Sequence, residues 1–219
     1  MRFEEAVRRL EPLPDELPEG PEALIPVLAA SEPHATRPRW DPEDGSARPA
    51  AVLVLVFPDE AGEARLVLTE RVDRGGHHSG EVSFPGGSAE PGDDDAAATA
   101  LREAFEEVGL DVAAAGVRVV GSLPTRWIPV SNFRVTPVVA VAARRPALVA
   151  QPTEVATILE APVAAFLPDG ELVHVERDIR GYGLRYAAYP VEGLQVWGMT
   201  AMILGGLGAW LGRELADGP

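Results

Sequence analysis

Glu103, Glu106 and Glu107 are the residues best equipped for chemistry, and they lie together in Arg102-Glu103-Ala104-Phe105-Glu106-Glu107-Val108-Gly109-Leu110. At about 100° per helical residue, Leu101, Ala104, Phe105 and Val108 share one face. The glutamates then occupy an arc of roughly 100° on the opposite face. Like charges at that spacing repel one another on an isolated helix. A hard cation turns the repulsion into attraction, because magnesium and manganese favour carboxylate oxygens. The plain alternative is a solvated acidic face, common in a chain with 34 acidic and 19 basic residues. Phosphoryl chemistry needs mainly positioning and charge stabilisation, so an acidic helix with a metal is sufficient equipment for it.

What favours the metal reading lies upstream. Phe84-Pro85-Gly86-Gly87 precedes the helix, joined to it by residues 88–93. Adjacent glycines let the backbone approach another group closely. Alone, such a pair signals a turn. Joined to the acidic helix it resembles the Nudix box, whose pattern is a glycine, five residues, a glutamate, seven residues, then Arg-Glu-apolar-x-Glu-Glu-x-Gly-apolar. Residues 102–110 fit the second half throughout. In the first half, counting back seven residues from Arg102 reaches Asp94, and six residues instead of five separate Gly87 from it.

That resemblance implies a Nudix fold, an α/β (α+β) domain with a mixed β-sheet sandwiched between α-helices. It implies Glu103, Glu106 and Glu107 as the residues that hold Mg2+ or Mn2+, and Arg102 as the residue that orients Glu106. Nudix enzymes often add an acid from a later loop as base or ligand. Glu154 in Gln151-Pro152-Thr153-Glu154-Val155 is the best positional candidate, with Glu160 and Glu176 further along. Glu106 and Glu103 are alternative bases. Asp94 is either the acid of the box or simply a helix cap.

Residues 66–87 carry a second resemblance, to the Nudix coenzyme A pyrophosphatases. Leu68, Thr69, Arg71, Gly80 and Phe84 to Gly87 stand in register with that motif, whereas Val72 and Gly76 depart from it. The implied substrate contacts are Arg71, Arg74, His78, Gly86 and Gly87, with His77 beside them. Coenzyme A carries a diphosphate and a 3′-phosphate, and Arg and protonated His are suited to such groups. Read without the resemblance, the arginines are solvated strand-end charges and the histidines a polar loop. Residues 123–137 and 196–201 are similar to the same subfamily. Trp127 there is either a stacking partner for adenine or an ordinary packed ring.

An ADP-ribose or other nucleoside-diphosphate pyrophosphatase is the rival enzyme. That subgroup tends to have a proline about sixteen residues after the box, where this chain has Arg126. A non-catalytic nucleotide sensor is the rival from another class. Loss of the box glutamates would mark it, and all of them are present.

Composition narrows the classes further. A chain of 219 residues, 46% hydrophobic, fits one globular domain with a sizeable core, or one domain with a terminal extension. Residues 1–50 are expected to form an N-terminal helix and a Pro-rich leader packed on a domain at 51–219. The net charge of −15 argues against nucleic acid or an anionic membrane as partner and leaves a small-molecule substrate. The chain has no cysteine, and its first residues lack the apolar core of a signal peptide, so a cytoplasmic protein is expected. Residues 196–211 are apolar but short and glycine-interrupted, which points to a buried C-terminal helix broken near Gly205-Gly206.

The elements that must position these residues follow from pattern. Apolar runs predict strands at 51–57 and 65–69, joined as a hairpin by the turn at 59–62. A short strand is expected at 81–84, ended by the Pro-Gly-Gly turn. Further strands are expected at 117–120 and 133–141, a short helix at 161–166, and a strand pair at 172–175 and 182–189. The acidic helix is expected over 94–108. Interleaved strands and helices imply a mixed sheet with helices packed against it.

Overall fold

The computed structural model describes residues 1–28, 46–72, 81–129, 131–179 and 182–213. Its first half runs α1 (Phe3–Leu10), β1 (Val27–Leu28), β2 (Arg48–Pro58), β3 (Ala64–Arg71), β4 (Val82–Ser83), β5 (Gly86–Ser88) and α2 (Ala96–Val108). The chain continues through α3 (Val112–Ala115), β6 (Val117–Ser122), β7 (Arg126–Ile128), β8 (Phe133–Ala142) and β9 (Val155–Pro162). Last come β10 (Val173–Ile179), β11 (Tyr182–Val191), β12 (Leu194–Val196) and α4 (Gly198–Gly212).

Strand β2 is the spine of the main sheet. It runs parallel to β8, with Ala51 opposite Thr136 and Leu55 opposite Ala140. On its other side it pairs antiparallel with β5 near its start and with β3 near its end. Strand β3 then continues between β9 and β4, while β6 and β7 flank β8. The 51–57 run is continuously apolar because both faces of this sheet are covered. Ala51, Leu53, Leu55 and Phe57 pack with Ala100, Ala104 and Val108 of α2. Val54 and Val56 pack on the other face with Leu10 of α1, Phe166, and Leu204 and Leu207 of α4. The outcome is the expected mixed sheet between helices. A smaller antiparallel sheet of β1, β11 and β10, with β12 beside β11, sends Tyr189 and Val191 into that second layer.

Three expectations need correction. Residues 161–166 do not form one helix: β9 runs to Pro162, and only Val163–Phe166 coils, as a 3-10 turn. Strand β9 itself was not foreseen, because Val-Ala-Thr-Ile-Leu-Glu-Ala-Pro has no regular alternation of apolar and polar residues. Helix α4 is not broken at Gly205-Gly206 but runs unbroken to Gly212. Its glycines serve close packing instead. A Cβ on Gly205 would press on Leu24, one on Gly206 on the Pro18 carbonyl oxygen, and one on Gly208 would overlap the Phe166 carbonyl oxygen. Residues 17–24 of the leader and the Val163–Phe166 turn therefore lie directly against the helix backbone.

Candidate functional site

The acidic helix starts at Ala96, two residues later than expected. Asp95 is the N-cap, its side chain accepting from the Ala98 N–H at 2.8 Å. Asp94 is exposed and is not the cap. The acid that pairs with Arg102 is its neighbour Asp93. Arg102 donates from Nε to Asp93 Oδ1 at 3.1 Å and from Nη2 to Oδ2 at 3.0 Å. Asp93 also accepts from the Glu90 N–H and the Thr99 hydroxyl, both at 2.9 Å. The Arg102 bonds, above all, hold its carboxyl well below the usual carboxylate range. Counted forward from Gly87, Asp93 follows five intervening residues, the spacing of the box. The additional residue thus sits between the acid and Arg102. Forward counting from the glycine would have found it.

At the other end Gly109, at φ 65°, closes the helix in the left-handed conformation. Between the caps, the glutamates do not share one solvent face. Ala100, Ala104, Glu107 and Val108 are buried, while Phe105 is 63% exposed. The apolar arc is centred on the small residues Ala100 and Ala104, which let the helix sit close to β2 and β5. Phe105 is carried to the outside and Glu107 to the inside of that arc. Glu107 is 3% exposed, Glu103 half-buried and Glu106 exposed. The three carboxylates therefore run as a gradient from core to solvent.

The two glycines of β5 explain how Glu107 is tolerated. The Gly86 N–H donates to Glu107 Oε2 at 3.0 Å. A Cβ on Gly86 would collide with Ala51 and Val52 of β2, so only glycine brings that N–H so deep. A Cβ on Gly87 would stand 2.5 Å from the Glu103 carboxylate, which fills the space instead. Arg71, at the end of β3, places Nη1 3.7 Å from Glu107 Oε1. Burial nevertheless pushes the Glu107 carboxyl up to about 7, against the pull of the Gly86 N–H and Arg71 and with the charges of Glu103 and Glu154 adding to the rise. Burial likewise raises Glu103, opposed by Arg102.

Arg102 orders the outer part of the site. Its Nη1 donates to Glu103 Oε1 and Glu106 Oε2, both at 3.1 Å, and its Nη2 to the Ser88 carbonyl at 2.9 Å. The contact with Glu106 is the one expected for it; those with Asp93, Ser88 and Glu103 were not foreseen. Among the later acids, the structure brings only Glu154 towards the helix. Its carbonyl accepts from the Val72 N–H at 3.0 Å, beside Arg71, and its charge acts on Glu103 and Glu107. Glu160 is engaged by Arg145 at 3.0 Å, and Glu176 belongs to β10 in the smaller sheet, 3.9 Å from Arg185. Neither joins the site. Trp127 is partly buried and donates to Asn132 Oδ1 at 3.0 Å. Arg74, His77 and His78 lie outside the described residues.

Among the described residues, no three acidic or histidine side chains stand together in ligating geometry. Arg102 draws Glu103 and Glu106 to its own nitrogen, and Glu107 is turned to Gly86. The donor set nevertheless fits a hard divalent cation. All its atoms are carboxylate oxygens, and raised Glu103 and Glu107 are groups whose negative form lacks sufficient counter-charge. Exchanging the Arg102 contacts of Glu103 for an ion would supply it.

Comparison with known proteins is in line with this geometry. The NUDIX domain family model matches residues 47–176. Nudix hydrolase 15, mitochondrial, of Arabidopsis thaliana is 38% identical over 170 residues, which is 75% of this chain and 59% of that protein. Nudix hydrolase 22, chloroplastic, of the same plant is 39% identical over 161 residues, 71% of this chain and 52% of that protein. The protein named Uncharacterized Nudix hydrolase NudL, from Salmonella paratyphi B, is 37% identical over 180 residues, 82% of this chain and 87% of its own length. The chain thus spans between half and two thirds of the two plant relatives. Among the described residues, no helix is long and apolar enough to cross a membrane.

Proposed function

The chain belongs to the Nudix family, and on that premise we propose that it hydrolyses the pyrophosphate bond of coenzyme A or a derivative, with Mg2+ or Mn2+. The observation that carries the hydrolytic part is Glu107, a buried carboxylate pushed up to about 7 and faced by Glu103, Glu154 and Arg71. Such a group is poised for a cation and a polyanion together.

Glu103, Glu107 and Glu106 would hold the metal. The bound ion would offset diphosphate charge and make hydroxide more available from water. Arg102, anchored by Asp93 and Ser88, orients Glu106 and Glu103. Glu154 is the candidate base, because its charge acts on both inner glutamates. Arg71 would meet a phosphate from the end of β3, with Arg74 and His78 following in the sequence. The glycines Gly86 and Gly87 would let the diphosphate approach the helix through the backbone, since the Gly86 N–H already reaches Glu107 and the Glu103 carboxylate packs directly on Gly87.

The coenzyme A assignment is supported by the Thr69-to-Gly87 motif. The products would be 3′,5′-ADP and 4′-phosphopantetheine, one water being consumed. Product analysis on coenzyme A, dephospho-coenzyme A and ADP-ribose tests it. Arg71→Ala should lower kcat/KM for coenzyme A roughly ten- to a hundredfold, the scale of one charge-assisted contact, and hurt dephospho-coenzyme A less. Faster cleavage of ADP-ribose than of coenzyme A by the unaltered protein would overturn the substrate and leave the hydrolytic reading standing.

A further inference from the structure

Among the described residues, the α2 face of the main sheet carries buried hydroxyls that the reading above does not use. Ser83 lies in β4, where it pairs with Thr69 of β3. Side chains alternate along a strand, so Ser83 and Thr69 share a face with Val67, which packs in the α2 cluster. Arg71, two residues beyond Thr69, is on that same face and reaches Glu107. The Ser83 hydroxyl oxygen is buried and, among the described residues, has no hydrogen-bond partner. Thr69 is fully buried as well, and its hydroxyl makes one long hydrogen bond, 3.4 Å, to the Ser83 carbonyl oxygen.

Buried hydroxyls are rarely left unpaired, so one without a partner among the described residues calls for a further acceptor. The other buried hydroxyls of this kind, those of Tyr186, which Arg177 approaches, and Tyr189, belong to the smaller sheet and lie against Trp197 and Phe166. Ser83 instead stands three residues before Gly86, the donor to Glu107. Arg71, diagonal to it across the β3–β4 pair, lies 3.7 Å from Glu107, longer than a direct hydrogen bond. At that length the pair can share a further oxygen standing beside it.

We propose that Ser83 is a further positioning residue of the carboxylate site, its hydroxyl, backed by Thr69, bonding an oxygen held beside Arg71 and Glu107. The oxygen comes from a fixed water or from a substrate phosphate, and the two sources offer the hydroxyl the same acceptor. The inference rests on reading Glu107 and Arg71 as parts of a pyrophosphatase site, and names a residue that this reading did not need.

Ser83→Ala removes the hydroxyl, and Ser83→Thr keeps it. Thermal unfolding of the metal-free proteins checks the fold. Deleting an unpartnered hydroxyl leaves the melting temperature unchanged or higher. Two further readouts separate the sources: the Mn2+ dissociation constant without substrate, by calorimetry, and KM and kcat on the pyrophosphate substrate at saturating metal. A fixed water predicts weaker Mn2+ binding in Ser83→Ala, and a substrate phosphate predicts a raised KM. The loss in either case is about three- to tenfold, the scale of one neutral hydrogen bond, with Ser83→Thr close to the parent. A Ser83→Ala protein equal to the parent in both readouts overturns the proposal. So does a loss that follows the melting temperature and is not restored by Ser83→Thr. Parent protein that binds no Mn2+ and cleaves no pyrophosphate overturns the underlying reading too, and the parent control tells that failure from failure of Ser83 alone.

Discussion

Glu107→Gln should stabilise the metal-free protein at neutral pH while removing its activity. Glu107 is 3% exposed, and its carboxyl is raised from 4.5 to about 7. A group whose folded-state pKa is raised contributes most below its unfolded pKa and loses that contribution as pH rises towards the folded value. Below about pH 4.5 Glu107 is protonated in both states and costs nothing. Between 4.5 and 7 the unfolded chain ionises while the folded one resists, and above 7 the cost is constant. At 1.36 kcal/mol per pKa unit the full effect is about 3 kcal/mol. For a chain of this size that is roughly 6–12 °C in Tm. Asp93, held low by Arg102, acts at lower pH and does not obscure the window. The assay is thermal unfolding of both proteins in EDTA from pH 4.5 to 8. Their Tm values should nearly coincide at pH 4.5 and diverge in favour of Glu107→Gln up to about pH 7. Adding Mg2+ at pH 7.5 should then raise the parent and narrow the gap. A difference that stays flat with pH, or a variant less stable than the parent at pH 8, would refute the reasoning.

Other consequences are simpler to check. Asp93→Asn should weaken Mn2+ binding severalfold by freeing Arg102 to compete harder for Glu103 and Glu106, whereas Asp94→Asn should leave it unchanged; equal effects of the two would return the acid to Asp94. Gly208→Ala should lower the Tm by several degrees, since overpacking costs about 1–3 kcal/mol and its Cβ would meet the Phe166 carbonyl; an unchanged Tm would mean that α4 does not lie this close to the turn. Glu154→Gln should depress kcat and remove the acidic limb of the pH–rate profile if Glu154 deprotonates the attacking water; an unchanged profile would return it to the ordinary loop glutamates.

Much of the site was legible because its logic is local. Residues 102–108 lie in one helix closed by Gly109, the glutamates fall on neighbouring turns, and Gly86-Gly87 come against them as close backbone approach requires. What escaped was set by tertiary packing. Periodicity placed Phe105 with the core, but small Ala100 and Ala104 attract the sheet and turn Phe105 outward. The same rotation buries Glu107, which no reading of charge on a helix would expect. Asp93 was passed over because counting back from Arg102 assumes no inserted residue, and the insertion lies in the stretch being counted. Strand β9 lacked alternation, so its route past Arg71, which carries Glu154 to the site, was invisible. Gly205 and Gly206 looked like helix breakers because sequence shows the propensity cost of glycine and not the neighbour it admits.

The most direct test of the central claim is pyrophosphate cleavage with and without a divalent ion, followed by the appearance of phosphate monoesters in the phosphorus NMR spectrum. Protein stripped with EDTA should show no turnover of coenzyme A or related dinucleotides. Mg2+ or Mn2+ should restore it, and Glu107→Gln should remain at least about a hundredfold slower under the same conditions, the scale of losing one key transition-state charge interaction. Full turnover in EDTA, or a Glu107→Gln protein as fast as the parent, would contradict the account.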